Sequence, residues 1–280
     1  MTNPLSQYFR QPSIYIKLPS NGEFYPEGAL DMPQNGELPV LPMTAIDEIT
    51  YRTPDALFNG SAVINVIHSC VPNIKNAWAI PSTDVDTILV GIRIASYGHD
   101  MEVNTACPKC NHEEMLNLDL RTAIDRMSKP DYSTPAHHGD LEIYFRPMNY
   151  KTLNENNQLQ FEEQKMLQSL AQSNESGTNA EAQSQLLSDI LRKITDMTVT
   201  AIAQSIAAIK TPDALVSDTV SIAEFLKNCD RKMFNQIRDH VIELKGKAEL
   251  KPLHIECSEC HNEYEQPFTL DMTSFFEHAS

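Results

Sequence analysis

The 280-residue chain carries a formal net charge of −16 at pH 7 and is 41% hydrophobic, enough to bury a core in one elaborated domain or two smaller ones. The acidic balance argues against a nucleic-acid partner, because phosphate binding requires clustered Lys and Arg. No apolar run approaches the roughly 18 residues that span a bilayer, so we expect a soluble protein without a membrane partner.

The N-terminal part is predicted to form short strands. Ile14, Ile16 and Leu18 recur at every second position, which predicts a half-buried strand that a Pro-Ser-Asn-Gly turn closes. The run GELPVLPM predicts a second strand, which its prolines confine to a sheet edge. The aromatic residues Phe24 and Tyr25 either anchor a partner protein or close the domain's own sheet, and both alternatives stay open.

Three helices are predicted before the first pair of cysteines. Thr44 is the expected cap of a short helix, and Ser61 begins an apolar one. A third helix is predicted with Ser82 or Thr83 as its cap and with Gly98 just past its end. It leads the chain into strand-like sequence on both sides of the first cysteine turn.

The chain becomes mainly helical after Tyr150, which predicts an α+β protein in three parts. Residues 1–150 are an α+β domain that ends with the first cysteine hairpin and the strand LEIYF. Residues 151–250 are a mainly helical insertion, and residues 251–280 return a second cysteine hairpin to the first. The insertion therefore lies between the two halves of one metal-binding unit.

Three features of the insertion carry further predictions. The apolar side of its first helix, with Leu159, Phe161 and Met166, is expected in the core. The low-complexity run SNESGTNAEAQSQ is expected to be a solvated linker. The run MTVTAIAQSIAAIKTPDA fits a helix or a strand, and its threonines and the following turn favour a strand.

Two Cys-x-x-Cys turns flank the insertion, with Cys107 and Cys110 in the first and Cys257 and Cys260 in the second. The first turn is followed by Asn-His and the second by His-Asn. In both, a Glu comes next and a Leu-Asp pair follows further on. This weak internal repeat predicts two strand–turn–strand hairpins that clasp one ion, a split zinc ribbon. Four thiolates close the coordination sphere, which favours a structural zinc over a catalytic one.

Alternatives to zinc at these cysteines remain. Thioredoxin-like redox chemistry uses a single Cys-x-x-Cys at a helix start, whereas both turns here have polar, strand-like flanks. Disulfides are disfavoured because no secretory signal opens the chain, and Cys70 and Cys229 are expected to be buried thiols. His112 or His261 could replace a sulfur only by displacing a cysteine of its own turn.

Catalytic signatures are not found, so no enzyme is predicted. The sequence has no G-x-S-x-G, no H-E-x-x-H and no glycine-rich phosphate loop. His137 and His138 are expected in a solvated turn. Asp84 and Asp86, with Asp100, could bind a cation but are expected to serve a helix N-terminus instead.

The chain resembles the baseplate hub assembly proteins of T-even-type contractile-tailed phages. The phrases IKLPSNGEFYPEG, PMTAIDE and TPDALFNG carry the resemblance, which covers residues 10–150 most clearly. FRPMNY, EFLKNCDRKMF and CSEC give weaker support. The metal role of the four cysteines is inferred from their spacing and not from this family.

The resemblance implies a non-enzymatic protein that assembles the central hub of a viral tail or forms part of it. Its partners would be other hub and tail proteins, and oligomerisation within the tail assembly is left open. Assembly would take place in the host cytoplasm, with the virion tail baseplate as a second location. The alternative is a cytosolic zinc-ribbon adaptor that is unrelated to phage tails.

Overall fold

The computed structural model describes residues 3–51, 60–173 and 180–266. Helices and several small antiparallel sheets follow one another along the chain, as the α+β prediction requires. The chain divides into two compact units, which we call unit 1 (Met1–Pro130 with Gly246–Ser280) and unit 2 (Asp131–Lys245). The three-part division at residues 150 and 250 stays a prediction.

Unit 1 combines three short hairpins with four described helices. Two 3-10 helices accompany them, at Pro4–Tyr8 and Ala77–Ala79. In chain order, the elements of unit 1 are β1 (Ile14–Ile16), β2 (Leu38–Val40), α1 (Ala45–Tyr51), α2 (Ser61–Cys70), α3 (Ser82–Tyr97), β3 (Asp100–Ala106), β4 (Glu113–Asp119), α4 (Leu120–Asp125), β9 (Leu253–Glu256) and β10 (Glu263–Gln266).

The hairpin of β1 and β2 packs on α3. Ile16 pairs with Leu38 across the two strands, and both side chains are buried. A Cβ added to Gly91 of α3 would lie 3.0 Å from Cγ2 of Ile16, so the glycine lets the strand approach the helix closely. The predicted alternation of buried and exposed residues in this strand is confirmed, because Tyr15 is exposed.

The helix caps of unit 1 differ in how well they were predicted. Thr44 caps α1 as expected: its Oγ1 accepts from the Asp47 N–H, and the Asp47 carboxylate accepts from the Thr44 N–H at 2.7 Å. The cap predicted for α3 is wrong, because Pro81 takes that position and no side chain caps the helix. Thr83 is instead buried inside the helix.

Unit 2 is built from a four-stranded sheet and helices. Its strand order is β5-β6-β7-β8, and all neighbours are antiparallel. In chain order, the elements are β5 (Ala136–His138), β6 (Leu141–Phe145), α5 (Tyr150–Ser173), α6 (Ala180–Gln204), β7 (Ile206–Lys210), β8 (Leu215–Val216), α7 (Thr219–Asn228) and α8 (Arg231–Ala248), the last of which extends three residues beyond Lys245. Its core gathers Ile143 and Phe145 from β6, Ile206 from β7 and Ile237 from α8.

Several predictions for this region need correction. The run MTVTAIAQSIAAIKTPDA is helical up to Gln204 and a strand only from Ile206, because the helical stripe of Val199 and Ile202 is buried in the core. The supposed linker overlaps both neighbouring helices, and its residues 174–179 lie outside the described residues. His137 and His138 belong to β5 and not to a turn.

The predicted apolar side of α5 is also wrong in part. Leu159, Phe161 and Met166 are 47%, 54% and 40% exposed, respectively, so these side chains do not lie in the core. Helical periodicity shows that apolar residues share one side of a helix. It does not show whether the rest of the chain covers that side.

Candidate metal centre

Two β-hairpins of unit 1 carry the four predicted cysteines in their turns. β3 and β4 pair in continuous register from Asp100 opposite Asp119 to Ala106 opposite Glu113. β9 and β10 pair in the same antiparallel way, with Glu256 opposite Glu263. The hairpin prediction is therefore confirmed, although the second Leu-Asp step, at residues 270–271, lies outside the described residues.

The two turns have the same backbone geometry. The Cys107 N–H donates to the His112 carbonyl at 2.9 Å, and the Cys257 N–H donates to the Asn262 carbonyl at 3.0 Å. In each turn the residue after the second cysteine is left-handed, with φ of 56° at Asn111 and 53° at His261. Asn and His adopt this conformation more often than most residues, which gives a physical reason for the swapped Asn-His pair.

The left-handed residue also closes each turn with a second hydrogen bond. The Asn111 N–H donates to the Cys107 carbonyl at 2.8 Å, and the His261 N–H donates to the Cys257 carbonyl at 2.9 Å. Both cysteines of each turn are thus held on one side of a short, rigid loop. The sequence repeat reflects a repeated structure.

The four sulfur atoms lie together, all within 4.8 Å of one another. The Sγ atoms of Cys107 and Cys260 are 3.7 Å apart, and those of Cys110 and Cys257 are 3.6 Å apart. A tetrahedron with Zn–S bonds of about 2.3 Å has edges of roughly 3.8 Å. A disulfide would need about 2.05 Å, so these distances fit four ligands around one ion and not a pair of disulfides.

The sulfurs differ in exposure and in electrostatic environment. Cys107 and Cys257 are buried, Cys260 is half-buried and Cys110 is exposed. Desolvation opposes ionisation of Cys107, but the backbone N–H groups of Cys110 and Lys109 outweigh it and lower the pKa of Cys107 to about 6. Although a backbone N–H favours its thiolate, the pKa of Cys110 is raised to about 12, through desolvation and three neighbouring sulfurs.

These opposite shifts reflect the electrostatic cost of placing thiolates side by side. A dication placed between the sulfurs would favour all four ionised forms at once. The backbone donors around Cys107 belong to the shell that orients and stabilises metal-bound thiolates. The four cysteines could therefore bind a metal ion.

Side chains join the two hairpins beside the sulfurs. The Ser258 N–H donates to Oε1 of Glu114 at 2.7 Å, and hydrogen bonds from Ser258 lower the pKa of this carboxylate. The hydroxyl groups of Thr105 and Tyr264 form a short hydrogen bond between β3 and β10. These contacts set the register of one hairpin against the other.

The other candidate metal ligands are not part of the sulfur cluster. His112 and His261 face carboxylates, with His261 Nδ1 3.0 Å from Oε1 of Glu256 and His112 Nε2 3.9 Å from Oε1 of Glu114. Among the described residues, only the four cysteines form a group of three or more side chains able to hold a metal. Cys70 is buried beside Arg10, and burial raises the pKa of its thiol to about 12.

Sequence reasoning missed the role of Asp84. This carboxylate is fully buried and accepts from the Ser20 N–H at 2.9 Å, from the Ser20 hydroxyl at 2.5 Å and from the Tyr25 hydroxyl at 3.1 Å. These hydrogen bonds therefore anchor the loop that follows β1 on helix α3, and they use the carboxylate oxygens that a cation would need. Its donors lie about 60 residues earlier in the chain, so no local pattern could have indicated them.

Comparisons with known proteins give one match. A family model described as T4 bacteriophage base plate protein matches residues 43–277, which is most of the chain. No curated protein and no solved structure matches. The described helices include none that is long and apolar enough to cross a membrane.

Proposed function

The chain belongs to the T4 bacteriophage base plate protein family, and on that premise we propose that it acts in the central baseplate hub, as an assembly factor or as a component. It acts there without catalysis, through contacts with other hub and tail proteins. The observation that carries this proposal is the family match over residues 43–277. The same match favours a tail protein over a zinc-ribbon adaptor unrelated to phages.

The metal that we assign to the four cysteines is a structural zinc. Thiolates are soft ligands that suit zinc, and four of them leave no coordination position for a reacting water. The sulfur separations of 3.6 and 3.7 Å support a tetrahedral site formed by Cys107, Cys110, Cys257 and Cys260. Bound zinc would connect two chain segments that lie on opposite sides of unit 2 in the sequence.

The chemistry of the thiols and the family both support the location that we propose. Free thiols persist in a reducing compartment, which fits assembly in the host cytoplasm. After assembly the chain would be found in the virion tail baseplate if it is a component of the hub. The net charge of −16 fits contacts with protein partners and opposes contact with packaged DNA.

Disruption of the coding sequence in the phage that carries it tests the function. We expect tails without a complete hub, and we expect plasmid-borne wild-type protein to restore infectious particles. Complete, infectious tails in the absence of the chain would overturn the proposal. Mass spectrometry of purified particles then separates the two roles, because only a component remains in the finished tail.

Elemental analysis of protein purified without added metal tests the zinc assignment. We expect about one zinc per chain, and less than that in Cys257→Ser. The matched control is Cys229→Ser, since Cys229 is a half-buried thiol outside the sulfur cluster. Wild-type protein that contains no metal and four reactive thiols would contradict the assignment without affecting the hub proposal.

A further inference from the structure

A groove of about 620 Å³ lies within unit 2, between α5, α6 and α8. α6 lines it with Ile194, Met197 and Thr198, and α8 lines it with Val241 and Ile242. Together with Ala201 and Ile202 on α6 and with Arg238 and Lys245 on α8, these positions recur at intervals of three and four residues, so each helix turns one side toward the groove. The lining therefore covers about two turns of each helix.

The floor of the groove is apolar and open to solvent. Ile242 is 60% exposed, although the residue before it, Val241, packs against the core of unit 2. Leu191 lies outside the groove, one helical turn before Ile194 on α6, and is 53% exposed. Apolar side chains that line a groove and stay exposed mark a surface that another molecule covers.

The two walls of the groove carry opposite charge. Arg238 and Lys245 lie two turns apart on the α8 side, and Arg238 also forms an exposed ion pair with Asp239, the next residue of α8, at 2.7 Å. Glu163 stands on the α5 side, and its Oε2 is buried without a hydrogen bond from any described residue. Lys193 forms an ion pair with the other oxygen, Oε1, at an Nζ–O distance of 3.8 Å.

We propose that this groove binds an amphipathic helix of a partner protein. The lining spans about two turns of each of three helices, and its apolar part on α6 and α8 suits the apolar side of one more helix. The occupant's apolar side would cover Ile194, Met197 and Ile242. Its acidic side chains would face Arg238 and Lys245, and a basic or amide side chain would donate to Glu163.

The charge arrangement fixes the orientation as well as the chemistry of the occupant. A helix with acidic residues on one flank and basic residues on the other can satisfy both walls in only one rotation about its axis. This inference rests on the proposed function only in taking the occupant to be a protein. It does not depend on which part of the tail supplies the helix.

The test is a selection from a displayed library of helical peptides, randomised on one face and panned against the full chain. We expect enriched peptides with an apolar stripe and an acidic flank. Arg238→Glu should weaken their binding about tenfold and should favour peptides that carry Lys at the same positions. Ile242→Glu should weaken both kinds of peptide by at least about tenfold.

Val220→Glu is the matched control, since Val220 is 75% exposed on α7 and does not line the groove. It should leave the binding of every selected peptide unchanged. Ile242→Glu changes an exposed side chain and should keep the thermal unfolding of the wild type. Arg238→Glu removes the exposed ion pair with Asp239 and should lower the unfolding temperature only slightly, and circular dichroism checks both variants. Hydrogen exchange on a peptide complex should show protection of α6 and α8 at the groove.

Three results would overturn the proposal. In the first, no peptide is enriched, or the enriched peptides show no preference in charge. In the second, their binding survives Ile242→Glu. In the third, sedimentation shows a dimer of the chain that Ile242→Glu dissociates, which would assign the groove to a second copy. Failure of the hub proposal in the phage experiment would leave all of these measurements unaffected.

Discussion

The cysteine hairpins of unit 1 and the sheet of unit 2 are stabilised by different means. Within residues 100–119 and 253–266, the buried residues are Thr105, Cys107, Ile255 and Cys257. Two of these four are cysteines of the sulfur cluster, and only Ile255 is a large apolar side chain. The sheet of unit 2 instead packs on a cluster of isoleucine, phenylalanine and leucine from strands and helices.

This difference separates two sources of stability in one chain. Isolated two-stranded hairpins are marginal in water, so β3–β4 and β9–β10 should depend on the contacts between them and on the ion that we propose between their four sulfurs. Unit 2 needs no such ion, because burial of apolar area stabilises it directly. Perturbations of the proposed metal site and of the core should therefore act on different parts of the molecule.

Loss of a cysteine ligand should give the largest effect. Metal binding contributes about 10–16 kcal/mol in zinc-finger peptides, and one missing thiolate forfeits much of it. In Cys257→Ser we expect the amides of β9 and β10 to lose protection in hydrogen exchange, while β6 and β7 keep theirs. Equal loss of protection in β7 would break the comparison, because it would make the core of unit 2 dependent on the metal.

A core substitution should give the reverse pattern. Ile206 is fully buried in unit 2, so Ile206→Ala should lower the free energy of unfolding of that unit by about 2–5 kcal/mol. Zinc content should stay at about one per chain. Urea unfolding followed by residue-resolved exchange measures both, and Val220→Ala is the control because Val220 is exposed.

A polar anchor in unit 1 should add a dependence on pH. Burial, opposed by hydrogen bonds from Ser20 and Tyr25, raises the pKa of Asp84 from 3.8 to about 6. Because the pKa of Asp84 is higher in the folded state, its protonation stabilises the fold. This contribution is fully present below the unfolded-state pKa of 3.8 and is lost as the pH rises through 6. The loss is about 3 kcal/mol, and Asp84→Asn should gain this much relative to wild type between pH 4 and 7.

Asp47→Asn is the control with the opposite sign. Desolvation is outweighed there by hydrogen bonds from Thr44 and Ser69 and by Arg10, so the pKa of Asp47 is lowered. Its contribution to stability is present above the ordinary value of 3.8 and is lost as the pH falls through the folded value. Urea unfolding at several pH values should give opposite trends, and parallel trends would argue against both assignments.

The smallest expected effect concerns Phe24. This exposed residue has a φ of 69°, a left-handed conformation that is unfavourable for a bulky side chain. Phe24→Gly should therefore be more stable than Phe24→Ala by about 1 kcal/mol, because both lose the ring but only glycine loses the strain. Thermal unfolding of the two variants measures the difference, and equal midpoints would show that this backbone is not strained.

The cysteine hairpins could be predicted because their signals are local. Cys-x-x-Cys spacing and strand-like flanks lie within about 20 residues, and the repeated Asn and His positions carry the turn geometry. Asp84 could not be predicted in the same way, since its donors come from a distant loop. Its position in a first helical turn indicated only a cap.

The segment 197–210 shows a second limit of sequence reasoning. β-branched residues such as Val199 and Ile202 favour strands in isolation, but here they form one buried side of a helix. Exposed Phe161 shows the converse, since its helical pattern is correct while its burial is not. Periodicity identifies the face, and tertiary packing decides what covers it.

The order in which the chain is synthesised gives the cysteine cluster one more consequence. Synthesis proceeds from the N-terminus, so Cys107 and Cys110 leave the ribosome before unit 2, and Cys257 and Cys260 follow it. A fragment truncated before residue 257 has two ligands and can hold zinc only weakly. If the cluster binds zinc as we propose, tight binding requires that synthesis has passed residue 260, and a copy interrupted earlier, with a loose first hairpin, would be more open to proteolysis.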